Sequence, residues 1–132
     1  MTGSCKCQTV QFEINAAPLA AANCHCQLCK KMLGGAFNTV VIVNEADFNL
    51  TTGAEAITRY AVTEQSDKHF CSRCGSPLYN LSRKFPGKVM IPIGALDEPA
   101  AITPGINVYC ESMLPWVAEI AQLKSFPQAP ER

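Results

Sequence analysis

The order of apolar and polar positions near the N-terminus is typical of a half-buried strand. Val10, Phe12 and Ile14 alternate with polar residues, and a period of two places the three apolar side chains on one face. The segment 15–18 begins with Asn and ends with Pro, which predicts the end of this strand. Residues 37–43 are rich in β-branched side chains and predict a second, buried strand.

Turn-forming residues predict further strands in the middle of the chain. The Thr52-Gly53 turn predicts a pair of strands over residues 47–51 and 56–62. Strands therefore dominate this part of the sequence.

The dipeptide Pro86-Gly87 predicts a hairpin between residues 78–81 and residues 89–93. Because proline has no N–H to donate to a neighbouring strand, Pro92 predicts an edge position or a bulge. Residues 107–110 are expected to form one last short strand.

Helical character is confined to two short segments, 27–33 and 114–123. Pro115 is acceptable in the second segment because it falls in the first turn. The tail from Ser125 carries two prolines and is expected to be extended. With 132 residues and no repeat, linker or low-complexity tract, the chain is expected to form a single mainly β domain over residues 1–132.

Charge and hydropathy argue against two classes of partner. Eleven basic and eleven acidic residues give a formal net charge of +0, and the basic groupings at 30–31 and 83–88 are too small for a nucleic-acid footprint. The longest aliphatic run, 40–43, is too short to cross a bilayer, and the N-terminus lacks the features of a secretory signal. We therefore expect a cytoplasmic protein without nucleic-acid or membrane partners.

Cysteine spacing carries most of the chemical information. Seven of the eight cysteines form three clusters: Cys5 with Cys7; Cys24, Cys26 and Cys29; and Cys71 with Cys74. Two cysteines in a C-x-C pair face the same side of an extended strand, whereas a disulfide between them would be strained. A reducing compartment also disfavours disulfides, so the clusters favour a metal bound by thiolates. Zinc is the expected ion, and an iron–sulfur cluster is the alternative.

The cysteine count suggests one complete site and one incomplete site. If Cys5 and Cys7 join Cys71 and Cys74, four sulfurs close a tetrahedral site between the start and the middle of the chain. The second pair alone resembles a redox dithiol, but it lacks the βαβ surroundings expected of that motif.

Three thiolates within residues 24–29 then leave a fourth position around their metal. That position is either open, as a catalytic zinc requires, or filled by another donor. The candidates for that donor are Cys110, His25 and His69.

Four stretches of the sequence follow one another in a specific order. They are Gly3-Ser4-Cys5-Lys6-Cys7, Cys24-His25-Cys26-Gln27-Leu28-Cys29 leading to Gly34-Gly35, Phe70-Cys71-Ser72-Arg73-Cys74-Gly75, and Glu111-Ser112-Met113-Leu114-Pro115-Trp116. Together they resemble the glutathione-dependent formaldehyde-activating (GFA) family, which shares its fold with centromere protein V and the Mss4-like proteins. The resemblance covers nearly the full chain.

This resemblance implies a mainly β, Mss4-like fold of packed antiparallel sheets stapled by zinc, with one or two short helices. It also implies two zinc ions per chain. The structural zinc would be held by Cys5, Cys7, Cys71 and Cys74, and the functional zinc by Cys24, Cys26 and Cys29. Gln8 stands where many members of the family carry Gly, which is expected to alter a turn and to leave ligation unchanged.

By the same resemblance, the activity is that of a carbon–sulfur lyase that reversibly joins a small aldehyde such as formaldehyde to a thiol such as glutathione. Zinc on three thiolates suits the binding of a fourth thiolate better than the ionisation of water. We therefore expect Cys24, Cys26 and Cys29 to act as ligands, with no nucleophile from the protein. A non-catalytic, zinc-stapled Mss4-like binding module is the alternative.

Three residues near these motifs have simpler interpretations than catalysis. His25 is expected to orient ligands or to support the structure, because an extended backbone turns it away from the metal that its neighbours face. Cys110 is interpreted as a small buried hydrophobic residue, with a fourth ligand or a reactive thiol as the alternatives. Trp116 is interpreted as a side chain that fills the core, with a place in a pocket wall as the alternative. The substrate, the thiol and the oligomeric state stay open.

Overall fold

The computed structural model describes residues 1–130, which are mainly β. Their ten strands are β1 (Thr2–Ser4), β2 (Gln11–Ile14), β3 (Ala20–Cys24), β4 (Asn38–Asn44), β5 (Phe48–Thr52), β6 (Ile57–Ala61), β7 (Ser66–Cys71), β8 (Pro77–Ser82), β9 (Lys88–Pro92) and β10 (Ile106–Val108). One α-helix, α1 (Gln27–Leu33), follows β3 directly. Short 3₁₀ turns connect several of the strands.

Two sheets make up the fold. The smaller has the order β1-β2-β5, and the larger has the order β10-β3-β4-β9-β8-β7-β6. All pairings within them are antiparallel except that of β10 with β3. This arrangement confirms the predicted mainly β, Mss4-like class.

The hydrophobic core lies where the two sheets face each other. Phe12 of the small sheet packs on Phe48 with ring centroids 5.2 Å apart, and Phe48 packs on Tyr79 of the large sheet at 5.0 Å. Val41 and Ile91, on neighbouring strands of the large sheet, are fully buried in the same cluster. Tilted aromatic pairs of this kind add about 1 kcal/mol each beyond the burial of their surface. The core therefore joins sheets whose strands are distant in sequence.

Most of the predicted elements are confirmed. The helix occupies the predicted residues 27–33, and the hairpin of β8 and β9 turns around Pro86-Gly87. The strand predicted over 37–43 is β4, shifted by one residue. Gly34 ends α1 in the left-handed region at φ 80°, a conformation that glycine adopts without a steric penalty.

The two strands predicted around the Thr52-Gly53 turn do not form a pair. β5 pairs with β2 in the small sheet, whereas β6 pairs with β7 in the large sheet. The 3₁₀ turn Ala54–Ala56 carries the chain from one sheet to the other. The apolar positions of β5 are buried against the core, and this burial outweighs the local preference for a hairpin.

Pro92 does not mark an edge strand, which corrects a second expectation. β9 lies between β4 and β8 in the interior of the large sheet, and Pro92 is its last residue. The missing N–H is tolerated there because the chain leaves the sheet for the 3₁₀ turn Ile93–Ala95.

The C-terminal region differs from its prediction in two places. The last strand is β10, which ends at Val108 and runs parallel to β3, and Cys110 begins a 3₁₀ turn. The helix predicted over 114–123 is a 3₁₀ segment, Val117–Gln122, with a kink at Glu119. The tail from Ser125 to residue 130 is irregular and exposed, and the rest of that prediction lies outside the described residues.

Candidate metal centre

Four cysteine sulfurs meet where the N-terminal strand region approaches the end of β7. The Sγ atoms of Cys5, Cys7, Cys71 and Cys74 all lie within 4.8 Å of one another. The Sγ of Cys7 is 3.6 Å from that of Cys5 and 3.8 Å from that of Cys71. Zinc–sulfur bonds of 2.3 Å in a tetrahedron place neighbouring sulfurs about 3.8 Å apart. The spacing and the soft donor set therefore fit a closed four-thiolate zinc site.

Tight turns on each side hold these four sulfurs in place. In the first turn, the N–H of Gln8 donates to the carbonyl of Cys5 at 3.1 Å, and the N–H of Val10 donates to the Sγ of Cys5 at 3.3 Å. In the second, Gly75 has φ 76° and its N–H donates to the carbonyl of Cys71 at 2.8 Å. Each turn brings its two cysteines to one side of the chain.

Gln8 adopts the left-handed conformation at φ 66°. This is the region that glycine favours, and an L-residue in it costs about 1 kcal/mol. The turn therefore forms with a glutamine at some cost in strain, and the four sulfurs still come together.

The four thiols of this cluster differ in burial, and three of them have shifted pKa values. Burial raises the pKa of Cys5 to about 11. At the surface, the hydroxyl of Ser76 lowers the pKa of Cys74 to about 5, and the hydroxyl of Thr9 lowers that of Cys7. A bound cation would favour the thiolate form of all of them.

A second cluster lies at the junction of β3 and α1. It contains the Sγ atoms of Cys24, Cys26 and Cys29, which also lie within 4.8 Å of one another. The Sγ of Cys29 is 3.3 Å from that of Cys24. Cys26 is the N-cap of α1, and its Sγ accepts a hydrogen bond from the N–H of Cys29 at 3.2 Å. The strand end, the cap and the first turn of the helix thus each supply one sulfur.

Burial raises the pKa of Cys24 and, more strongly, that of Cys29. Cys26 is also desolvated by burial, but hydrogen bonds from the backbone and sulfur of Cys29 outweigh that effect and lower its pKa. A thiolate at the N-cap is the form that these donors stabilise. The three sulfurs fit a soft cation such as zinc with one position left over.

None of the residues proposed as a fourth donor belongs to this cluster within the part of the chain that the structure describes. His25 is only 1% exposed, its Nε2 lies 3.3 Å from the Oδ1 of Asn107, and its ring packs on Phe37. His69 stacks on Tyr79 with ring centroids 4.4 Å apart, and burial lowers its pKa.

Two expectations about neighbouring side chains are wrong. Cys110 is exposed, not buried, and Trp116 is 48% exposed, so it does not fill the core. Both residues lie in the 3₁₀-rich region after β10.

A cavity of about 390 Å³ borders the second cluster. Its wall includes Cys24 and Cys29, and most of its other lining residues are aliphatic or aromatic. A larger groove of about 620 Å³ runs past Cys5. Cys5 belongs to a set of four sulfurs that fills a tetrahedron, so of these two cavities in the described residues the smaller one adjoins the cluster with room for an added ligand.

Comparison with known proteins identifies the relatives of this chain. A sequence model of the family described as "Glutathione-dependent formaldehyde-activating enzyme" matches residues 1–112. The chain belongs to this family. The match begins before the first cysteine pair and includes both clusters.

Two curated relatives carry the same family name. A protein of Halomonas elongata is 29% identical over 124 residues, which cover 89% of this chain and 79% of the relative. A protein of Fusarium vanettenii is 31% identical over 84 residues, which cover 61% of this chain and 44% of that longer protein.

A solved crystal structure of a Rhodobacter sphaeroides protein has a similar fold. It superposes with a TM-score of 0.64 at 23% identity and covers 82% of this chain and 100% of its own. At that identity the similarity shows the fold alone. This member of the formaldehyde-activating family therefore shares its overall fold with the Rhodobacter sphaeroides protein.

Two residues of the cavity were not found by reasoning from the sequence. Asn38 is 6% exposed, lines the cavity, and has no hydrogen-bond partner for its Oδ1 among the described residues. Lys68 lies on β7, three strands from Asn38 in the large sheet; it also lines the cavity and is half-buried. Neither belongs to a motif that distinguishes it from other polar residues of strands, so only the tertiary contacts identify them as cavity residues.

Proposed function

We propose that this chain is a zinc-dependent enzyme of the carbon–sulfur lyase type, which reversibly adds a small aldehyde such as formaldehyde to a thiol such as glutathione. The observation that carries the proposal is that two members of the three-sulfur cluster, Cys24 and Cys29, line the wall of the 390 Å³ cavity. Membership of the formaldehyde-activating family supports the same reaction class. The proposed unit is a single domain over residues 1–132.

In this proposal the two clusters have different roles. Cys5, Cys7, Cys71 and Cys74 hold a structural zinc, and Cys24, Cys26 and Cys29 hold the functional one. Zinc bound at a three-thiolate site supplies a coordination position at which an external thiol is held as its thiolate near neutral pH. The eight free cysteines favour a reducing, cytoplasmic location for such a protein.

In this proposal the protein itself positions the reacting groups and excludes water from them. The apolar wall of the cavity keeps water away from the reacting groups, which slows hydrolysis of the adduct and strengthens polar contacts within the site. The carbon–sulfur bond forms as the π bond of the carbonyl breaks, and the carbonyl oxygen takes up the proton that the thiol has lost. No side chain of the protein is needed as a nucleophile.

The test is adduct formation by the zinc-loaded protein. Glutathione and formaldehyde are mixed with the wild type, and exchange NMR of the adduct measures the rate above the spontaneous background. We expect the Cys26→Ser variant to lose this excess rate and the Cys110→Ser variant to retain it, because Cys110 lies outside both clusters. Equal rates for the wild type and Cys26→Ser would refute the proposal.

X-ray absorption at the zinc edge separates the enzyme from a binding module. The enzyme predicts one ion with four sulfurs and one with three sulfurs and an exchangeable light atom. Two saturated sites, with four sulfurs or with three sulfurs and a nitrogen, would instead support a zinc-stapled module without catalytic activity.

A further inference from the structure

Lys68 is a cation without an acidic partner in the cavity beside the second cluster. It is half-buried and contributes to the cavity wall. The salt bridges among the described residues both involve Asp67, with Arg59 and Arg83, and neither includes Lys68. A half-buried ammonium group without a counter-charge favours the binding of an anion.

Lys68 belongs to β7, and its contact with α1 relates it to the cysteine cluster. Its Nζ donates a hydrogen bond to the carbonyl of Met32 at 2.6 Å. Met32 follows Cys29 by three residues, which is about 4.5 Å along a helix axis. An ammonium group has three donors; one bonds Met32 and the group also lies over the Phe70 ring, 5.8 Å from its centroid, which leaves at least one donor for a ligand. A molecule that contacts the cluster with one end and Lys68 with the other therefore needs to span only about one helical turn.

The rest of the cavity is neutral and largely apolar. Leu28, Met32, Val40, Ile42, Met90 and Ile106 belong to its wall. Lys68 is the charged side chain of this lining, and no acidic side chain lines it among the described residues. Asn38 adds a nearly buried amide whose Oδ1 has no partner. The wall thus matches a ligand with an apolar body and one negative charge.

We infer that this cavity selects compact thiols with a single carboxylate, which Lys68 binds while the sulfur lies at the Cys24, Cys26 and Cys29 cluster. This inference rests on the proposed function and names the substrate class of the same site. Glutathione has two carboxylates and an ammonium group, and two of these three charges find no partner in the lining. Its affinity is therefore lower than that of a small thiol with one carboxylate.

The test compares 3-mercaptopropionate with its methyl ester, which has the same thiol and nearly the same shape without the charge. Isothermal titration calorimetry of each with the zinc-loaded protein at one pH gives their dissociation constants. We expect the wild type to bind the acid about tenfold more tightly than the ester, since a charge-assisted hydrogen bond is worth at least that ratio. Glutathione is measured in the same way and is expected to bind more weakly than 3-mercaptopropionate.

Substitutions assign the preference to Lys68. Lys68→Met is expected to bring the ratio of acid to ester affinity close to one while the affinity for the ester is retained. Lys68→Arg keeps the charge and is expected to keep the preference. Lys31→Met is the matched control, because Lys31 is an exposed cation of α1, the helix that Lys68 contacts, and does not line the cavity.

The possible outcomes separate the two proposals. If the wild type binds thiols without preferring the acid, or binds glutathione more tightly than 3-mercaptopropionate, the inference about the substrate class is wrong. A parallel loss of acid and ester affinity in Lys68→Met would show that Lys68 only supports the structure of α1, and would also overturn it. If no thiol binds the zinc-loaded wild type at all, the proposed function itself fails.

Discussion

Asn38 lies directly opposite Cys24 in the antiparallel ladder of β4 and β3. Residues paired in this way have Cβ atoms about 5 Å apart, so the amide is a close neighbour of a cluster sulfur. The Oδ1 of Asn38 is buried without a hydrogen-bond partner among the described residues, an arrangement that costs about 1–3 kcal/mol. A polar group kept at such a cost beside a candidate site is expected to contact the ligand.

Replacement of Asn38 by leucine tests that expectation. Asn38→Leu removes the unpartnered oxygen at similar volume, so we expect the free energy of unfolding to stay within about 1 kcal/mol of the wild type or to rise. Adduct formation is expected to fall about tenfold, since one hydrogen bond of about 1.4 kcal/mol is lost. Thermal unfolding and the NMR exchange assay measure the two effects.

Thr39→Val is the matched control for Asn38→Leu. The Oγ1 of Thr39 donates to the Oδ1 of Asn23 at 2.6 Å, and Thr39 does not line the cavity beside the second cluster. This variant is expected to lose stability and to retain activity. The role of Asn38 in ligand binding would be contradicted by a variant with leucine that is as active as the wild type.

Loss of the four-sulfur cluster is expected to destabilise the fold far more than loss of the other cluster. Cys71 is fully buried and joins the end of β7 to the N-terminal turn that carries Cys5 and Cys7. Cys71→Ser should lower the free energy of unfolding by more than about 4 kcal/mol, as is typical when a structural metal is lost. Cys24→Ser should cost less, because β3 is also held by β4 and β10.

Circular dichroism during thermal unfolding and zinc content per chain check this difference. A strong chelator should lower the unfolding temperature of the wild type, and added zinc should restore it. Cys110→Ser controls for the loss of a thiol outside both clusters. Equal stability of Cys71→Ser and Cys24→Ser would contradict the assignment of one structural site.

Asp97 gives the stability a pH dependence that can be isolated. Its carboxylate accepts hydrogen bonds from the hydroxyls of Thr2 and Ser4, both at 2.7 Å, and these bonds lower its pKa. A carboxylate with a lowered pKa stabilises the fold above its unfolded pKa, near 3.8, and loses this contribution as the pH falls through the folded value. The contacts tie β1, and with it the first cysteine pair, to the segment after Leu96.

Asp97→Asn should therefore reduce stability at pH 7 and have little effect near pH 2. Because Asp97 is exposed, the difference at pH 7 is expected to be under about 1 kcal/mol. Urea unfolding of both proteins at the two pH values measures it, and the comparison with the wild type removes the effect of acid on the thiolates. If the difference in stability between Asp97→Asn and the wild type grew as the pH fell, the stabilising role of the Asp97 carboxylate would be contradicted.

Gly53 is required where the chain passes from β5 towards β6. Its φ of 79° is left-handed, and a Cβ at this position would overlap the backbone carbonyl of Thr9. Gly53→Ala should destabilise the fold by about 2 kcal/mol or more, since both strain and overlap must be relieved by backbone movement. Chemical denaturation measures the loss. Gly94→Ala, which meets open space without a left-handed φ, should stay within about 0.5 kcal/mol of the wild type.

The residues of several local elements could be predicted from the sequence because their determinants are local, whereas β1, β3 and β7 were not predicted. The alternation around Phe12 gives β2 its buried face, and the helix after Cys26 begins at a cap and ends at Gly34. Cysteine spacing also predicted that the sulfurs within each short cluster lie together, since a C-x-C or C-x-x-C turn has few geometries. That the first pair joins the last was implied by the family resemblance.

The partners of those elements depend on long-range packing. The Thr52-Gly53 turn has the composition of a hairpin, but β5 and β6 join different sheets because burial of Phe48 and Leu50 in the core outweighs the local turn preference. Pro92 lies in an interior strand because its position at the strand end removes the need for its N–H.

The sequence by itself determined the strand-rich class and the three short clusters that hold seven of the cysteines. The tertiary structure joined the first and last of these clusters into a set of four. Only the tertiary structure decided that the set of three borders an apolar cavity with Asn38 and Lys68 in its wall. Cysteine motifs act over a few residues, whereas a cavity forms between strands and a helix that are brought together by burial of surface along the whole chain.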